Sequence, residues 1–130
     1  MKQTVSAKQA FLDEILKDGE AYAGILLGKK GEPDHHLILL PGQATKVNWA
    51  DAKKFAADAG GELPTRREQS LLFANLKEEF EEHYYWSGEQ HASNSGFAWL
   101  QYFYDGYQYD AHNNGNNRAR AVRRLKLYEV

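Results

Sequence analysis

Phe97-Ala98-Trp99-Leu100-Gln101-Tyr102-Phe103-Tyr104-Asp105-Gly106-Tyr107-Gln108-Tyr109-Asp110 reads with a period of two, after a first half whose apolar residues recur at helical spacing. Phe97, Trp99, Gln101 and Phe103 fall on one face of a strand, and Ala98, Leu100, Tyr102 and Tyr104 on the other. Asp105-Gly106 predicts a two-residue hairpin turn into a return strand, Tyr107 to Asp110. His112 to Asn117, HNNGNN, reads as a loop tip. A last strand from about Arg118 to Leu125 brings the chain back to the sheet, with Leu127 and Val130 placed to pair the C-terminus with an earlier hairpin.

Upstream, Pro64-Thr65-Arg66-Arg67-Glu68 is the clearest helix start in the chain. The Thr65 side chain can accept from the Glu68 amide while Glu68 reaches back to the Thr65 amide. Leu72, Phe73, Leu76 and Phe80 give that helix its apolar stripe, followed by the acidic run Glu78, Glu79, Glu81 and Glu82. Asn48 caps a preceding helix with the stripe Ala52, Phe55, Ala56 and Ala59, stopped by Gly60-Gly61. Tyr22 to Leu27 and His36 to Leu40 read as the strands of a hairpin, and the Gly, Pro and Asp residues between them as its loop. Ser6 with Gln9 fits a capping box for a first helix carrying Leu12, Ile15 and Leu16 and stopped at Gly19. An α-rich half up to about Glu82 thus precedes a β-rich half, which makes the fold class α+β.

The 130 residues are 42% apolar and 26% charged, with no linker-like break, so one domain is expected over 1–130: an N-terminal helix in 1–19 and the core in 20–130. A formal net charge of −2 removes the bulk electrostatic case for nucleic acid, which is disfavoured, and for an anionic membrane. Zero cysteines exclude disulfides, thiolate metal sites and cysteine nucleophiles. The start MKQTVSAKQAFLDEIL lacks the basic and apolar regions of a secretory signal, so secretion by that route is not expected.

Gly61-Glu62-Leu63-Pro64-Thr65-Arg66, Tyr85-Trp86-Ser87, Ala98-Trp99 and Arg118-Ala119-Arg120-Ala121-Val122-Arg123, in this order, resemble a domain family of unknown function found in phages and bacteria. That family is similar to the C-type-lectin-like fold, in the branch of formylglycine-generating enzyme and the variable proteins of diversity-generating retroelements. The resemblance covers roughly Tyr22 to Arg124. It implies a twisted antiparallel sheet flanked by two helices, chain ends close together and a long loop excursion presenting ligand contacts. The helix before Tyr22 is extra to that core.

Little enzymatic chemistry is legible. Formylglycine-generating enzymes work through cysteines, which this chain lacks. His35, His36, His83, His91 and His112 include no pair at the i, i+4 spacing of a helical metal site. Glu32-Pro33-Asp34 imitates a calcium-lectin tripeptide but lies in the early hairpin, where Pro and Asp build a turn. Ser87, Ser93 and Ser95 have no nucleophile elbow. An enzyme is therefore not expected, and no cofactor or metal either.

What remains is a cluster of Tyr102, Tyr104, Tyr107, Tyr109, Asp110, His112, Asn113, Asn114, Asn116 and Asn117. Tyrosine offers large rigid contact area at low entropic cost, and Asn and Asp offer adaptable hydrogen bonds. The resemblance points the same way, since variable positions in retroelement-diversified relatives fall in this late segment. Alternatively, the tyrosines pack the sheet and the asparagines make turns. Arg118, Arg120 and Arg124 share one strand parity and Arg123 the other; a framework role, for example against Glu78 to Glu82, is preferred over an anion patch. The expected function is a non-enzymatic phage or prophage ligand-binding protein that recognises a host protein or glycan through this Tyr/Asn-rich face. The alternative is an intracellular phage accessory protein that binds and inhibits a host factor. Either places the chain in the virion or the host cytoplasm, and a homo-oligomer is compatible with multivalent display.

Overall fold

The computed structural model describes residues 6–127, an α+β fold with three α-helices and two mostly antiparallel sheets. Helix α1 (Ala7–Ile15) precedes a hairpin of β1 (Ala21–Leu26) and β2 (His35–Leu39); β3 (Ala44–Val47), α2 (Trp49–Asp58) and α3 (Arg66–Leu76) follow. A 3₁₀ turn at Lys77–Glu79 then leads into β4 (Tyr84–Gln90), β5 (Phe97–Tyr102), β6 (Gln108–His112), β7 (Asn117–Ala119) and β8 (Val122–Lys126). The smaller sheet has the order β1-β2-β8 and the larger β3-β7-β4-β5-β6, in which β4 and β7 run parallel.

Asn48 caps α2 by accepting from the Asp51 amide at 2.9 Å. Both arms of the capping box at Thr65 and Glu68 form, at 2.8 and 3.1 Å. Asp34 closes the first hairpin loop by accepting from the Gly28 amide at 2.7 Å, so Glu32-Pro33-Asp34 does build a turn. Gly61 has no room for a side chain: a Cβ there would lie 2.2 Å from the Val122 carbonyl, where Glu62 and Val122 exchange backbone hydrogen bonds.

Successive residues of β4 point to opposite faces, so one strand feeds two cores. Trp86, with Leu100, Ala98, Ala119 and Ala121, packs under Ala52 and Ala56 of α2. Tyr85, with Phe103, Leu37, Leu39 and Val122, packs under Leu72 of α3. Trp86 is fully buried and donates its indole N–H to the Val47 carbonyl at 2.9 Å. Helix α1 buries no residue completely; it lays Phe11 against Tyr22 and His36. Burial, then the neighbouring His35, holds His36 below the ordinary histidine range, and its Nδ1 shares a hydrogen bond with the Tyr22 hydroxyl, 2.7 Å away.

Several local expectations are corrected. Only half of the first capping box forms, because the Gln9 side chain binds Asp13. Helix α1 ends at Ile15 rather than at Gly19: Arg123 takes the Ile15 carbonyl and both Glu20 carboxylate oxygens, and so pulls the chain out of the helix. Ala59 is exposed, since α2 has ended before it. The Asp105-Gly106 turn is a four-residue loop, Phe103 to Gly106, closed by Tyr102 N–H to the Tyr107 carbonyl at 2.9 Å. Phe103 leaves the strand because its ring is drawn into the core, stacked on Phe80 at 4.0 Å, and Tyr104 follows it into the loop. The single last strand is two strands in different sheets, broken at Arg120-Ala121 where Arg120 donates to the Leu40 and Glu79 carbonyls. The expected pairing with the first hairpin is made by β8 on β2; Val130 lies outside the described residues. Strand β3 has no counterpart in the sequence reading, being four residues with an exposed polar middle.

Truncating the indole that fills the α2-side core tests this packing. Trp86→Ala is expected to lower unfolding free energy by about 3–5 kcal/mol in urea melts. A loss below about 1 kcal/mol, the scale of a surface substitution, would show that the core is not organised around this ring.

Candidate binding face

The α2 side of the larger sheet is only partly covered. Helix α2 packs on β3, β7 and β4, and the β5–β6 end of the same face carries tyrosines instead. Register places them: Tyr84 pairs with Tyr102 across β4 and β5, and Leu100 with Tyr109 across β5 and β6, so all share the face of buried Leu100. The Tyr84 and Tyr102 rings stack at 4.4 Å and 13°. Tyr109 meets Tyr84 edge-on at 5.9 Å, Tyr104 leans on Tyr102 at 5.8 Å, and Tyr107 meets Tyr109 at 6.5 Å. Tyr102 is half-buried, while Tyr84, Tyr104, Tyr107 and Tyr109 are 40%, 56%, 66% and 41% exposed. Desolvation, then the Asp105 carboxylate, pushes the Tyr109 hydroxyl above the ordinary phenol range.

The rest of the expected site lies elsewhere. Asp110 pairs with Trp99 on the opposite, α3-facing side, 3.5 Å from the His91 ring, which stacks on Trp99. His112 packs edge-on against Phe97 and accepts from the Asn114 amide. Asn113 spends its side-chain N–H on the Ser95 carbonyl and its backbone carbonyl on Trp49. Asn117 opens β7 opposite Val47. Asn114 and Asn116 are exposed at the tip. The structure thus brings Tyr102, Tyr104, Tyr107 and Tyr109 together, adds Tyr84, and uses His112, Asn113 and Asn117 as framework. Tyr84 escaped the sequence reading because its place beside Tyr102 follows from cross-strand register; its parity with Trp86 was the available signal.

On the α3 side, a charged network escaped that reading as well. Glu68 is completely buried among four donors: the Thr65 amide, Arg124 Nε and Nη2 at 2.7 and 2.8 Å, and His35 Nε2 at 2.7 Å. Burial raises the Glu68 carboxyl, but the Arg124 hydrogen bonds and then the Thr65 amide more than offset it, holding the group below the ordinary glutamate range. Arg124 also reaches Glu62, and Arg123 binds Glu20, whose carboxyl these hydrogen bonds lower. Arg120, Arg123 and Arg124 are therefore framework residues, bound to carboxylates and carbonyls other than the Glu78 to Glu82 carboxylates. His35, Glu68 and Arg124 line a cleft of about 760 Å³ with Arg66, Arg67 and Gln108.

Among the described residues, no group of three His, Asp or Glu is arranged to hold a metal ion, and no helix is long and apolar enough to cross a membrane. The chain matches no protein-family model and no curated protein.

Removing the Glu68 charge leaves Arg124 without its buried counter-ion, so Glu68→Gln is expected to cost about 3–5 kcal/mol at pH 7. Because the folded carboxyl is lowered, its contribution is fully present above the unfolded value, about 4.3, and is lost as pH falls through the folded value. Urea midpoints of the two proteins should therefore converge on acidification from pH 7 to pH 3. A gap that stays constant over that interval would assign the effect to packing rather than to charge.

Proposed function

We propose that this chain is a non-enzymatic binding domain of phage or prophage origin, C-type-lectin-like in architecture, that recognises a host protein through Tyr84, Tyr102, Tyr104, Tyr107 and Tyr109. One observation carries the reading: five contiguous tyrosine rings, four of them at least 40% exposed, with no helix laid over them among the described residues. A bare aromatic patch on a folded domain marks an interaction surface. Rings already braced against one another lose little freedom on binding, which is why tyrosine dominates such surfaces.

The ring geometry favours a protein over a glycan. Tyr84 and Tyr102 spend a face on each other, and the remaining contacts are tilted or edge-on, so the patch is ridged rather than a flat stacking platform. Its hydroxyls and the exposed Asp105 supply polar contacts around the apolar rings. The architectural part of the reading is supported by the Leu63-Pro64-Thr65 entry to α3, by helices on both faces of the larger sheet, and by β8 returning to pair with the N-terminal hairpin. The phage origin and the host as source of the ligand rest on the resemblance of the quoted sequence pieces.

Tyr104→Ala and Tyr107→Ala, combined, test it. Capture from host extract by the unaltered domain should enrich a discrete protein, and the double variant should lose it by about tenfold or more, as for an interface hot spot. The melting temperature should change little. Hydrogen exchange in the complex should show protection at residues 102–109. Equal capture by the variant, retention on glycans instead of protein, or collapse of folding in the variant would each refute the proposal.

A further inference from the structure

We infer that the cleft at the start of α3 is a second binding site, for a small molecule carrying a carboxylate or phosphate oxyanion on an apolar stem. It is separate from the tyrosine face, since Gln108 and Tyr109 are consecutive on β6 and point to opposite sides of the sheet. At about 760 Å³ it has the size of small-molecule sites.

The key residue is Arg66. Its guanidinium lies 3.6 Å over the Trp99 ring, and its Nε donates to Gln108 Oε1 at 2.9 Å. Gln108 is held in turn: its amide donates to the Arg66 carbonyl at 2.7 Å and to Gln101 Oε1 at 2.9 Å, while Gln101 donates to the Gln69 carbonyl. The fork is therefore fixed in plane by a chain of amides running into the core. Among the described residues its two terminal nitrogens make no hydrogen bond. A braced planar guanidinium with both terminal N–H groups unused matches the paired oxygens of a carboxylate or phosphate.

Three carboxylates, Glu32, Glu68 and Glu89, line the cleft alongside the cations Arg66, Arg67, Arg124 and Lys126. Glu68 is saturated by four donors, and Glu89 accepts from the Arg66 amide at 2.6 Å. Arg124 is likewise committed to Glu62 and Glu68, and exposed Arg67 donates to the Leu27 carbonyl, whereas the braced Arg66 side chain has no carboxylate partner among the described residues. Leu26 and Pro33 also line the cleft and offer apolar surface to a stem.

Titration of the isotope-labelled chain, followed by NMR, tests the site with phenyl phosphate, benzoate, inorganic phosphate and phenethylammonium. Phenyl phosphate and benzoate should saturably shift the amides of 65–67 and Gln108, and the tighter of the two identifies the preferred oxyanion. Inorganic phosphate should bind more weakly and phenethylammonium not at all. Arg66→Gln should weaken binding by about tenfold or more, and Arg66→Lys, which keeps the charge but not the fork, should lose most of it too. Glu89→Gln, which removes a competing negative charge while keeping a carbonyl for the Arg66 amide, should tighten binding. Tyr107→Ala should leave it unchanged. Unaltered affinity in Arg66→Gln, no shift with either aromatic anion at millimolar concentration, binding of phenethylammonium at the same amides, or weaker binding in Glu89→Gln would overturn the inference. Inorganic phosphate binding as tightly as phenyl phosphate would overturn its apolar stem.

Discussion

The Glu68 carboxylate is the point at which the separate pieces of this protein are tied. It closes the first turn of α3 on the Thr65 amide, grips Arg124 of β8 through two hydrogen bonds, and holds His35 at the start of β2. A buried charge is costly to desolvate, and only a full complement of donors makes it tolerable. Here all four come from elements that must be in place together, so the carboxylate couples the helix cap to the assembly of the smaller sheet. The same bonds fix part of the cleft's lining, holding Arg124 and His35 against the start of α3.

A second constraint is the alternation along β4. Tyr85 and Trp86 anchor cores on opposite faces, each under its own helix, while Tyr84 lies one step beyond the reach of α2. The uncovered rings follow from that geometry: a ten-residue helix over a five-stranded sheet leaves part of the face bare. Stacking of Tyr84 on Tyr102 holds the exposed rings in fixed relation, which suits a contact surface. An exposed aromatic face and a charged cleft thus lie back to back on one sheet, the first on the α2 side and the second on the α3 side.

The elements legible in the sequence were those whose signals are local. Asn48 and Thr65 each act within three residues, and the first hairpin is closed by Asp34 on Gly28, six residues apart. The tyrosine cluster was legible as composition, but its membership was not. Tyr84 joined through register, whereas Asp110 was sent to the opposite side by its parity, and Asn113 was drawn into the tip by Ser95 and Trp49. Glu68 was visible only as a capping partner, because the residues that bury and bind it lie 33 and 56 positions away. The early end of α1 had the same cause: its terminator, Arg123, is 108 residues from Ile15.

By itself the sequence determined the α+β class, the caps and stripes of α2 and α3, the first hairpin, and the concentration of tyrosine in the late strands. These depend on interactions spanning one turn of helix or one reversal of the chain. Tertiary structure decided that the last strand divides between two sheets, that five tyrosines rather than four form the exposed ridge, and that Arg66, His35, Glu68 and Arg124 converge on one cleft. Those outcomes depend on strand register and on pairing between residues far apart in the chain, where a shift of one position would turn every side chain to the other face.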